Sequence, residues 1–145
     1  MKLHLNHAFD NKFNLPEELL HKGKVKKFKR GDILYNKGDS SRQLTYTLSG
    51  IVGLVNLSSN GHESLLRVFG ENFFVGYRSF LVDEDYHATA VALSDGELLI
   101  FPYQSAEEIL KEVPELFLHI SRMLARDLRI AEERFNDITG NRVVA

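Results

Sequence analysis

The chain has no cysteine among its 145 residues, and that absence removes several chemistries at once. Disulfides, thiolate nucleophiles, cysteine-ligated zinc and cysteine-ligated iron–sulfur clusters are all excluded. Long apolar runs are missing too. No segment approaches the roughly 18 apolar residues that a membrane span needs, and Met1-Lys2-Leu3-His4-Leu5-Asn6 lacks the apolar stretch and small-residue cleavage site of a signal peptide. A cytoplasmic protein without a membrane contact is therefore expected. Nor is there an excess of charge of either sign. A formal net charge of -2 supplies no basic field that would hold the whole chain on phosphate backbones, so any DNA contact is expected from a part outside this chain.

What is present suffices for a folded core. Apolar residues make up 43% and charged residues 26%, close to ordinary globular proteins and far from the composition of disordered ones. The length suits one domain with a proper core and is short for two.

Residues 1–14 follow no clear period and read as a lead-in. From Leu15 to His21 a proline and two acids stand where a first helical turn favours them, and Gly23 ends that short helix. Then the texture changes to short runs of Val, Ile, Leu, Phe, Tyr and Thr. Strands are expected near 25–29, 32–36, 45–49, 51–57, 64–69, 73–77, 86–93 and 97–102. Turn clusters separate them: Arg30-Gly31-Asp32, Lys37-Gly38-Asp39, Ser49-Gly50, Ser59-Asn60-Gly61, Gly70-Glu71-Asn72 and Asp95-Gly96. Many short strands with glycine punctuation predict a sandwich, jelly roll or small barrel.

After Pro102 the period becomes helical. Ser105 with Glu108 has the spacing of a capping box, and Pro114 opens a second, longer helix at the position proline tolerates best. Its apolar residues Phe117, Ile120, Leu124, Leu128, Ala131, Phe135 and Ile138 recur at three- and four-residue steps, and Leu116, Met123 and Ile130 form a second row. A helix from Pro114 to Ile138 would run about 36 Å, longer than a small roll can cover. The seven-residue stripe is accordingly expected at a homodimer interface; an ordinary core helix is the competing interpretation. We divide the chain into an N-terminal helix and β-roll sensor unit, residues 1–113, and the long helix with the start of a hinge, residues 114–145.

The segment from Phe28 to Asp39, with its two glycine-acid turns, resembles the opening of the cyclic-nucleotide-binding fold. Leu48-Ser49-Gly50-Ile51-Val52, Gly61-His62-Glu63-Ser64-Leu65-Leu66 and Thr89-Ala90-Val91-Ala92-Leu93 resemble further hallmarks in the same order, and Arg126 to Arg134 is similar to the start of the dimer helix in Crp/Fnr regulators. The likeness spans residues 15–138. It implies a mainly β fold with flanking helices: a double-stranded β-helix or jelly-roll β-roll with a pocket inside, a long C-terminal dimerisation helix, and a helix-turn-helix domain beyond it. The last residues, Asp137 to Ala145, are similar to the hinge and first turn of that DNA-binding domain. Either a piece of a Crp/Fnr-type regulator, cut past the hinge, or a stand-alone signalling module acting on a protein partner is expected, and no enzyme.

In that fold, the resemblance implies, cyclic nucleotides are held by a glutamate on the ribose and an arginine on the phosphate. The corresponding stretches are Val75-Gly76-Tyr77-Arg78-Ser79 and Tyr86-His87-Ala88-Thr89, the candidate ligand-binding residues. Tyr77 stands in the place of the glutamate, Tyr86 in that of the arginine, and His87 in that of the serine or threonine. A tyrosine does not neutralise a phosphate leaving water, so cyclic AMP and cyclic GMP are expected to bind weakly. Arg78 with His87 can hold another anion, an unknown small-molecule effector; alternatively Arg78 pairs with Asp83, Glu84 or Asp85 at the surface.

Other constellations carry less. His4 and His7 are three apart without a third ligand at a fitting interval, Gly61-His62-Glu63 lacks the second histidine of a cupin metal site, and no haem ligation stands out, so neither metal nor cofactor is expected. The basic run Lys22, Lys24, Lys26, Lys27, Lys29 and Arg30 suits a solvated edge strand, where lysine blocks edge-to-edge pairing. In a gel-shift assay at physiological salt this chain alone should therefore leave duplex DNA unshifted; a salt-resistant shifted band would count against the charge argument.

Overall fold

The computed structural model describes residues 15–139. The expectations for residues 1–14, the His4 and His7 pair among them, and for residues 140–145 at the start of the hinge lie outside the described residues.

A short helix α1 (Glu17–Leu20) leads into eight strands: β1 (Lys24–Phe28), β2 (Ile33–Tyr35), β3 (Leu44–Ser49), β4 (Val52–Leu57), β5 (Glu63–Phe69), β6 (Phe73–Val75), β7 (Thr89–Ala92) and β8 (Gly96–Phe101). Helix α2 (Tyr77–Val82) lies between β6 and β7, and helices α3 (Ala106–Glu112) and α4 (Pro114–Thr139) follow the last strand. The strands form two four-stranded sheets with every pairing antiparallel, one ordered β1-β8-β3-β6 and the other β2-β7-β4-β5. This is the β-roll that the resemblance implies, within the sandwich, jelly-roll or barrel class expected from the punctuated strands.

Three strands are clearly shorter than their apolar runs suggested, β2 among them at Ile33–Tyr35. The run at 73–77 stops at Val75 because Gly76 takes φ +72° and turns the chain into α2. The run at 86–93 is strand only from Thr89, since the Tyr86 N–H donates to the Asp39 carbonyl and its own carbonyl accepts from the Gly38 N–H, tying it to a turn instead of a ladder. At α3 the Ser105 hydroxyl accepts from the Glu108 N–H at 3.2 Å, as the cap spacing predicted. The Glu108 carboxylate accepts from the Gln104 N–H, one residue before the cap.

The first sheet is covered on both faces, which explains its apolar runs. Successive strand residues point to opposite sides, so Phe73, Val75 and Leu98 pack between the sheets with Val52, Leu54, Phe69, Ala90 and Ala92. Their neighbours Phe74 and Leu99, with Leu44, Tyr46 and Phe101, point the other way and meet the helices. There Ile109, Val113, Leu116, Ile120 and Met123 complete a second apolar cluster with Tyr77 and Phe80.

The long helix divides its apolar residues differently from the expected stripe. Ile120, assigned to the dimer interface, is 1% exposed and belongs to the core of its own chain with Leu116 and Met123. A helix resting on a sheet buries positions at steps of four, three and four, and 116, 120, 123 and 127 are that row. Phe117 and Leu124 flank it, partly buried. Beyond residue 127 the helix leaves the roll: Leu128, Phe135 and Ile138 are 62%, 63% and 82% exposed, and Ala131 is exposed beside them.

Turns Ser49-Gly50 and Asp95-Gly96 abut under the Phe28 ring. Gly50 has φ +90°, and a Cβ there would stand 2.6 Å from the Asp95 carbonyl oxygen and 2.9 Å from the Phe28 ring. Gly50→Ala should lower the unfolding free energy by about 2–3 kcal/mol, combining a positive-φ penalty with overpacking. The check is a lower urea midpoint at an unchanged denaturant slope.

Candidate functional site

The turn from β6 into α2 sets the geometry of the site. Gly76 is required there on two counts, its left-handed backbone and the space a side chain would need: a Cβ would meet the Tyr86 ring at 2.6 Å and the Tyr35 hydroxyl at 3.0 Å. Those two tyrosines stack face to face, ring centres 3.6 Å apart and planes 12° from parallel. Burial pushes the Tyr86 phenol up to about 12, helped by the Asp39 carboxylate, and raises Tyr35 further, helped by Tyr86. Both rings are neutral at physiological pH, so the position where the family resemblance puts an arginine holds an uncharged aromatic pair.

Positive charge enters nearby from other elements. A small cavity, partly open to solvent, is lined by the apolar side chains Leu54, Leu66 and Phe69 together with Arg67, Gly76, Tyr77, Arg78 and His87. Arg67 comes from β5, two residues before Phe69, and its guanidinium lies over that ring at 4.9 Å. Arg78 comes from α2, its guanidinium 5.8 Å from the centre of the Tyr77 ring. Partial burial holds Arg78 below the ordinary arginine range, and the neighbouring Arg67 cation adds to the effect.

Both arginines converge on one carboxylate from the long helix. Asp127 is buried at 9% exposure. Its Oδ1 lies 3.0 Å from an Arg67 terminal nitrogen that donates to it, and its Oδ2 lies 3.7 Å from Arg78. The Tyr77 hydroxyl also donates to Oδ2. Two cations therefore share one anion, which leaves the cavity wall with one positive charge in excess.

The nine candidate ligand-binding residues separate accordingly. Gly76, Tyr77, Arg78 and His87 line the cavity. Val75 and Ala88 do not: they face the apolar space between the sheets, as strand alternation and its continuation demand. Ser79 is buried, its hydroxyl 3.4 Å from His87 Nδ1. Tyr86 stacks on Tyr35, and the Thr89 hydroxyl accepts from the Lys37 N–H at 3.0 Å, holding the preceding turn. Arg78 is paired with Asp127, whereas Asp83, Glu84 and Asp85 were the surface partners considered. The sequence reading missed Arg67 and Asp127. Asp127 had a signal: it continues the buried row 116, 120, 123, and an acid on a buried helix face calls for a cation. Arg67 had a weaker one, sharing a strand face with Phe69.

With this geometry established, four similarities place the chain. A model of the cyclic nucleotide-binding domain family matches residues 25–113. The chain is 32% identical over 130 residues to the global nitrogen regulator of Nostoc sp., an alignment that takes in 83% of this chain and 57% of that protein. It superposes on the catabolite activator protein of Thermus thermophilus with a TM-score of 0.69 and 27% identity, covering 86% of this chain and 60% of that one. The N-terminal domain of a transcriptional regulator from Streptomyces coelicolor A3(2) superposes with a TM-score of 0.63 and 27% identity, at 92% and 94% coverage. The chain thus spans little more than half of the Nostoc and Thermus proteins, and nearly all of the Streptomyces domain.

Removing Asp127 would leave the Tyr77 hydroxyl and the inner face of Arg67 without an acceptor. Because Arg67 and Arg78 are 30% and 54% exposed, the cost lies below that of a fully buried pair. Asp127→Ala should lose about 2 kcal/mol of stability in urea unfolding, and loss of less than a few tenths would show the cluster to be energetically idle.

Proposed function

Because this chain belongs to the cyclic nucleotide-binding domain family, we propose that it is the effector-sensing and dimerising half of a Crp/Fnr-type transcription regulator that answers to an anion other than a cyclic nucleotide. The names of the Nostoc, Thermus and Streptomyces relatives support the regulatory role. Residues up to 113 act as the sensor, and the helix from Pro114 acts as the dimerisation element. DNA contact belongs to a helix-turn-helix domain following the helix, since the chain's net charge is -2.

The observation that carries the effector assignment is the exchange of charge around the cavity. Where a cyclic phosphate would require a forked cation, Tyr86 is stacked and neutral. The available cations, Arg67 and Arg78, stand instead at the side nearest the long helix. An anion held there carries its charge away from the place of a cyclic phosphate. Titration calorimetry with cyclic AMP and cyclic GMP should give no sub-micromolar binding, and such an affinity for either would overturn the assignment.

Dimerisation rests on the apolar ridge Leu128, Ala131, Phe135 and Ile138, with the partly buried Leu124 and Phe117 continuing it along the roll. Large apolar side chains stabilise an association by about 1.5–3 kcal/mol each when fully covered. Ile120, buried in its own chain, has no part in it. The double variant Leu128→Glu/Ile138→Glu should raise the dimer dissociation constant at least about 100-fold in sedimentation equilibrium, with the roll still folded by circular dichroism. An unchanged constant would place the interface elsewhere.

A further inference from the structure

Asp127 of the long helix reaches both arginines of the cavity. Every residue lining the cavity belongs to β4, β5, the start of α2 or the loop before β7, and none to α4. Asp127 reaches the cavity's two cations from behind, and it is the last buried residue of α4 among the described residues: from Leu128 to Ile138 the helix is exposed or half-buried. The carboxylate that balances the pocket is therefore also the distal tether of the helix to the roll.

We propose that the effector is a small oxyanion that takes over Arg67 and Arg78 from Asp127, so that occupation of the cavity unties the long helix at residue 127. The proposal rests on the effector reading above and adds how occupancy reaches the helix. Each guanidinium has N–H groups to spare beyond those turned to Asp127, in a planar fork that fits two oxygens of a carboxylate or a phosphate. The apolar wall of Leu54, Leu66 and Phe69 takes any hydrocarbon part of the ligand. An incoming anion and Asp127 repel each other at this distance, and one carboxylate already leaves the two cations undercompensated. Burial, and after it the neighbouring Arg67 cation, lowers the proton affinity of Arg78. Coupling then follows from differential affinity: the anion favours the state in which Asp127 has swung out, and stabilising that state is the same as loosening the end of the helix.

Asp127→Asn tests this, because it keeps the shape and one acceptor oxygen while deleting the competing charge. Inorganic phosphate and succinate, titrated separately by calorimetry, distinguish a phosphate ligand from a carboxylate one. At least one of them should bind Asp127→Asn on the order of tenfold more tightly than the wild type, and Arg67→Gln on the order of tenfold more weakly. Hydrogen exchange supplies the second measurement. In the wild type the binding anion should speed exchange of the amides at 124–131, whereas an ordinary ligand protects. In Asp127→Asn those amides should already exchange fast and should not respond. Equal affinities in wild type and Asp127→Asn, or increased protection of 124–131 on binding, would overturn the tether while leaving the anion pocket standing. Failure of both anions to bind wild type and Asp127→Asn alike, with both folded by circular dichroism, would overturn the pocket and the tether together.

Discussion

A carboxylate placed inside a protein has to be answered by donors, and the burial of Asp127 fixes where those donors come from. They are supplied by β5 through Arg67 and by the first two residues of α2 through Tyr77 and Arg78. The roll and the long helix are therefore registered against each other at one ionic point as well as through the apolar row of Leu116, Ile120 and Met123. Apolar contacts tolerate small sliding motions; a buried charge that depends on two guanidinium groups and a phenol tolerates them less. The direction in which α4 leaves the roll, and the residue from which it runs free, both follow from this constraint.

The same constraint explains how the pocket differs from the pattern implied by the family resemblance. Tyr86 occupies the place of an arginine, and it does so with a structural partner: its ring lies on Tyr35, and Gly76 must lack a side chain to admit the pair. An aromatic stack of this kind contributes packing and no charge. Arg67 and Arg78 lie toward the long helix, with Asp127 as their internal counter-ion. Sheet geometry, which carries the fold, and side-chain charge, which carries recognition, depend on different positions.

The two-sided burial of the first sheet ties these features to the core. Phe73 and Val75 serve one apolar layer and Phe74 the other, so the strand that leads into the site has no exposed side on which to slip. A one-residue register error would exchange the two layers. Gly76 follows directly, and the backbone reversal there places Tyr77 and Arg78 with the precision that a rigid strand allows.

From the sequence alone the number and order of strands, the glycine turns, the cap at Ser105, the helix opened by Pro114 and the likeness to cyclic-nucleotide-binding rolls were all legible. Each is encoded by neighbours within a few residues, through period, turn chemistry or local spacing. That tyrosines, Tyr77 and Tyr86, stand at the two positions where the resemblance implies a glutamate and an arginine was legible in the same local way. What only the tertiary structure decided is which apolar residues of α4 the roll consumes, taking Ile120 and leaving Leu128, and that Arg67, Arg78 and Asp127 meet. Those contacts join residues 60 and 49 positions apart in the chain. No local pattern specifies such a meeting, because which cation answers a buried acid depends on where the sheets carry it.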